Sequence, residues 1–277
     1  MLKKTIGNGV KGAFTLAEVL ITLGIIGVVA AMTMPTLINS TQGAQYKTAY
    51  KKALSVMSQA VVMNIALEDY DLSQVVAGTN TTAADASGDD DDDDDGSTVG
   101  GAQSLYDLFK NRMNVVKVAS TNDFQGGTQG ETDFYKIINV DTADKSDYTA
   151  FATLHGGNGG NTFPVLSSGE KWPANLTMLF FNDGITFIFD NRQANCAAAT
   201  STTDDHYCYG FIDVNGQKAP NRVVACDGTS ASKKINGSGT DNANCVVTNP
   251  TDIYPIAMYD QSIVPASAAA RAVLYAK

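Results

Sequence analysis

The sequence predicts an α+β protein. A long N-terminal helix, apolar in its first half and amphipathic in its second, packs on a small antiparallel β-sheet head with disulfide-bearing C-terminal loops. Three observations carry this expectation. An apolar run follows a basic start, apolar residues then recur at helical spacing, and two β-rich runs flank Asn182-Asp183-Gly184.

Residues 1–13 carry Lys3, Lys4 and Lys11 and no acid. From Phe14 to Ile38 the only charged residue is Glu18. As a helix this segment, 14–38, spans about 35–40 Å at ~1.5 Å per residue, enough to cross a bilayer. The front lysines favour a cytoplasmic N-terminus, although Lys47, Lys51 and Lys52 follow on the other side. A carboxylate near the start of a membrane helix costs a few kcal/mol unless it is paired. A plain anchor has no use for Glu18. If the chain is cut before Phe14, a new amine appears close in sequence to Glu18. In a neighbouring copy that amine would satisfy the carboxylate only at one stacking offset.

The run Lys11-Gly12-Ala13-Phe14-Thr15-Leu16-Ala17-Glu18, followed by the apolar stretch, resembles the prepilin cleavage and methylation motif of type IV pilins and type II secretion pseudopilins. The family motif has a basic leader, a small residue before the cut, Phe as first mature residue and Glu as fifth. Phe14 and Glu18 match that spacing. The family usually has Gly directly before Phe, whereas here Ala13 follows Gly12, so the cut is placed between Ala13 and Phe14. The resemblance covers about residues 1–60. It implies leader removal and N-methylation of Phe14 by a membrane-embedded prepilin peptidase. It further implies a pilin-like fold, a single pass of the cytoplasmic (inner) membrane and an assembly platform. The final place would be an extracytoplasmic filament or the cell surface, with other pilin or pseudopilin subunits as partners in a homo- or heteropolymer. Two simpler readings compete: a secretory signal peptide cut after Val29-Ala30-Ala31, and an uncleaved anchor. Neither accounts for Glu18 at a fixed distance from Phe14.

Pro35 falls where many pilins carry a kinking proline. It lacks a backbone donor and should bend or locally melt the helix. Beyond it, Tyr46, Tyr50, Ala53, Leu54, Met57, Val61 and Ile65 recur at helical spacing, giving an amphipathic helix over 39–76. Residues 77–101 contain Asp89 through Asp95 without a break. Adjacent carboxylates repel and cannot enter a core, so this reads as a solvated flexible loop.

The globular head is expected over 102–277. It opens with a helix from Gln103 to Met113, on the spacing of Leu105, Leu108, Phe109 and Met113. Residues 121–160 read as strands and loops. Leu176 to Phe181 and Ile185 to Phe189 form a hairpin closed by Asn182-Asp183-Gly184, because Gly184 can take positive φ. A third strand is expected at 209–214, and a meander on the amphipathic helix would bury one face of the sheet.

Four cysteines, Cys196, Cys208, Cys226 and Cys245, behind an export-like segment suggest disulfides formed outside the cytosol. Of the three pairings, Cys196–Cys208 with Cys226–Cys245 is favoured because each closes a short local loop. A metal site using His206 beside Cys208 is the alternative, weakened by the lack of CxxC spacing.

Asp213 and Asn215 alternate oxygens before Gly216, as at the start of a calcium loop, an idea some pseudopilins echo. A turn at Asn215-Gly216 needs no metal, and the later acidic ligand of an EF-hand is missing. No cofactor is otherwise expected. The chain carries a net charge of −10, which argues against gripping nucleic acid. Its two histidines, His155 and His206, lie in no recognisable catalytic motif, so no enzyme is expected. A structural filament subunit is the leading expectation. The alternatives are a minor pilin or a membrane-anchored surface-binding module serving adhesion, secretion or DNA uptake.

Overall fold

The computed structural model describes residues 15–79, 102–120, 176–198, 206–216, 218, 222–227 and 245–275. Helix α1 runs over Leu16–Glu68, α2 over Leu105–Arg112 and α3 over Ala268–Tyr275. Six strands, β1 (Val115–Ser120), β2 (Thr177–Phe181), β3 (Thr186–Phe189), β4 (Cys208–Asp213), β5 (Ile253–Tyr259) and β6 (Ser262–Pro265), form one sheet. The chain divides into two compact units, Met1–Gln42 and Gly43–Lys277.

In the second unit the middle of the α1 stripe read from the sequence is buried, while Tyr46 and Ile65 at its ends are half-buried. Tyr50, Ala53, Leu54, Met57, Ala60 and Val61 all lie in the core. The helix ends at Glu68, short of residue 76, where the sequence placed its end. Asp69 turns the chain with φ 60°, and the buried Asn64 amide donates to the carbonyl of Tyr70. Asp71 then caps a separate 3-10 turn, Leu72–Gln74, through the amide of Ser73. α2 is shorter than expected by about a residue or two at each end. Ser104 caps its first turn by accepting from the amide of Asp107. Arg112 fastens its end to α1, donating to Asn64 Oδ1 at 3.2 Å and Glu68 Oε1 at 2.7 Å.

The strands are ordered β1-β2-β3-β4-β5-β6, each antiparallel to its neighbour. The β2–β3 hairpin closes as expected, with Gly184 at φ 84° and the amide of Phe181 donating to the carbonyl of Ile185. The Asp183 carboxylate pairs with Lys52 of α1 at 2.8 Å.

The sheet is buried on both faces, not on one. One face gives Leu179, Phe187, Phe189, Ile212, Tyr254, Ile256 and Met258 to the core shared with α1 and α2. The other gives Met178, Ile188, Tyr209, Phe211 and Ala257 to a second cluster. The alternation of the strands is therefore apolar against apolar, which single-faced patterning does not anticipate. Both disulfides form in the favoured pairing, Cys196–Cys208 and Cys226–Cys245. Residues 80–101 and 121–175, with the acidic run and His155, lie outside the described residues.

Candidate membrane and assembly segment

Glu18 stands at the start of α1, and its own chain satisfies part of it. The amide and the hydroxyl of Thr15 each donate to Glu18 Oε2 at 2.8 Å. The amide of Glu18 donates back to Thr15 Oγ1 at 3.3 Å. This reciprocal arrangement is a capping box, which meets donors that a helix start leaves open. The Thr-x-x-Glu spacing was present in the sequence, and Thr15 is the residue that the sequence reading passed over. Gly12, Ala13 and Phe14 lie outside the described residues.

Leu16–Met34 is long and apolar enough to span a membrane by length and composition, and none of it is buried within the chain. Signal sequences near an N-terminus meet the same test. Its polar side chains are spent internally: Thr22 Oγ1 donates to the carbonyl of Glu18 at 2.9 Å, and Thr33 Oγ1 to that of Val29 at 3.0 Å. A hydroxyl bonded back onto its own helix needs no water, which suits apolar surroundings. Glu18 alone carries charge there. Helical geometry continues through Pro35.

The two calcium-loop candidates meet at the β4 end, in the second unit. Asp213 Oδ1 accepts from the amides of Asn215 and Gly216 at 3.0 and 2.9 Å. Asn215 donates its side-chain amide to Tyr46 OH at 3.2 Å and to Asp252 Oδ2 at 3.0 Å. Gly216 takes φ 63° to close the turn. This is an aspartate-closed turn whose amide ties α1 to the head. Asp252, fully buried, was not legible beforehand; it also accepts from the amide of Arg222 at 2.8 Å. Burial raises the Tyr46 hydroxyl above the ordinary phenol range, against the bond from Asn215. Among the described residues no three His, Cys, Asp or Glu side chains gather as a metal would require. His206 bridges to Ala197 through its backbone.

No family model, no curated protein and no solved structure matches this chain. Its function is read from its own residues.

Proposed function

We propose that the chain is a structural subunit of a type IV pilus or a type II secretion-like pseudopilus. A prepilin peptidase cuts before Phe14 and methylates the new amine. The mature subunit waits in the inner membrane with its N-terminus inside, and is then drawn into a filament through its N-terminal helix. The observation that carries this reading is the lone charge of Glu18 at the head of an unburied apolar helix, Leu16–Met34. Thr15 engages one of its oxygens and leaves a net negative charge, which a cation from a second subunit would neutralise. A carboxylate so placed costs a few kcal/mol in a bilayer until it finds that partner, so assembly gains what the isolated subunit lacks.

The test is Glu18→Ala in the native cells. Filament yield should fall by an order of magnitude or more while the membrane-held pool stays level or rises. Unchanged filament yield would sink the reading and leave a membrane-anchored module for surface binding.

A further inference from the structure

In the second unit, the described helices all pack toward one face of the sheet. Tyr50 of α1, Leu72 of the 3-10 turn, Phe109 of α2 and Ala269 of α3 belong to the cluster that holds Phe187 and Tyr254. The opposite face is no less buried. Met178, Ile188, Phe211 and Ile253 are fully covered there. Their cluster draws only on strands and on residues beside strands. Side chains on a strand stand roughly perpendicular to the sheet, so neighbours on one face do not roof one another. A second layer, about 10 Å above the sheet, has to cover them.

The connection from β1 to β2 is the stretch that can supply this layer. Ser120 and Thr177 pair directly, so the chain leaves and re-enters the sheet at one place. A hairpin between such neighbours needs only about two to five residues, whereas this one takes residues 121–175. At ~3.3 Å per residue even a small part of that length crosses strands spaced about 4.8 Å apart. Its two ends already stand on the far face, since Ala119 and Leu176 belong to the second cluster. It carries Phe134, Ile137, Ile138, Phe151, Phe163 and Trp172. The other stretches of this unit outside the described residues have little to bury. Residues 80–101 offer Val99, residues 228–244 offer Ile235, and the rest hold no aliphatic or aromatic side chain beyond alanine and proline.

We infer that the chain docks its own segment 121–175 on the far face of the sheet, as a layer opposite α1. A second copy or a foreign partner is the poorer occupant, because Met178, Ile188 and Phe211 are buried within a single chain. The apolar side chains of the segment face the sheet, and its many polar residues and glycines face water. The sheet is then enclosed on both sides, which is what strands apolar on both faces require. On this side the head shows the surface of 121–175 and not that of the sheet, so a partner reaching it from there meets this segment. The inference does not rest on Glu18 or on the filament reading.

The test uses the full chain in dilute detergent micelles, with its methionines replaced by photo-methionine, a diazirine analogue of nearly the same size. Brief illumination then links each methionine position to whatever touches it, and peptide mapping reads the partners. Beyond the neighbouring strands, Met178 should link chiefly to residues within 121–175. Met258 belongs to the cluster on the α1 side and serves as the comparison. A several-fold smaller share of its links should reach 121–175. Links from Met178 that reach only the neighbouring strands and water, another stretch of the chain, or a second molecule would overturn the inference. Equal shares from Met178 and Met258 would overturn it as well.

Discussion

Tyr50 of α1 lies flat on Tyr254 of β5, with ring centroids 4.0 Å apart and planes 9° from parallel. Both rings are fully buried, and neither hydroxyl has a hydrogen-bond partner among the described residues. The pair holds the amphipathic half of α1 to the sheet through ring contact. Its two polar atoms are a cost that the apolar packing offsets.

A sharp expectation comes from separating ring from hydroxyl. Tyr50→Phe keeps the stack and removes an unbonded buried hydroxyl, so stability should hold or rise by up to ~2 kcal/mol. Tyr50→Ala should lose about 3–5 kcal/mol through the cavity it leaves. Urea unfolding of the two variants decides it. A loss in Tyr50→Phe comparable to that in Tyr50→Ala would show that the hydroxyl is bonded in solution.

The same burial sets an alkaline limit. Desolvation pushes both phenols well above their ordinary range, and the charge of Tyr50 raises Tyr254 further. The unfolded phenols ionise near pH ~10. Below that pH the contribution is fully present. Above it the unfolded chain gives up protons that the folded chain keeps, so stability falls as pH rises. The slope should approach about 1.4 kcal/mol per pH unit for each tyrosine. Denaturant titrations between pH ~9 and ~11 should show that slope, and Tyr254→Phe should make it shallower.

The two disulfides should differ in accessibility. Cys196 and Cys208 are both fully buried in the core, whereas Cys245 is only partly covered. Mild reductant followed by alkylation should trap Cys226 and Cys245 first, with Cys196 and Cys208 labelled only on global unfolding. Their sequence separations are 12 and 19 residues. Loops of that size give about 3 kcal/mol each on the chain-entropy account. Replacing either pair by serine should lower the unfolding free energy by about that much.

Gly210 in β4 tests the closeness of packing on the α1-facing side. A Cβ there would lie 2.6 Å from the Phe187 ring and 2.9 Å from the Ile188 carbonyl oxygen. Gly210→Ala should therefore cost about 1–3 kcal/mol, since a strand has no room to step aside. A thermal melt indistinguishable from the parent would mean that the Phe187 ring moves freely.

Much of the head's start was legible. The Asn182-Asp183-Gly184 turn, the stripe from Tyr50 to Val61 and the local cysteine loops each rest on short-range rules, and each forms as those rules require. What escaped is β5, β6 and α3. Pro255 sits within β5, opposite Phe211 in the register with β4, with β6 on the other side. A proline there cannot donate to a ladder, and it disguises a central strand as a loop. β1 escaped for a different reason: its register shifts between Val115 and Lys117, so its alternation is broken where it would be read. At the assembly segment, the position of Glu18 was legible from spacing. The partner it takes in its own chain, Thr15, was legible too, from the Thr-x-x-Glu spacing of a capping box, but was passed over.

The most direct measurement is the first residue and intact mass of the protein recovered from its native cells. A chain beginning at Phe14 and heavier by one methyl group is the predicted result. A chain beginning at Met32, as an ordinary signal peptidase would leave it, or an uncut Met1, would contradict prepilin processing and with it the filament role.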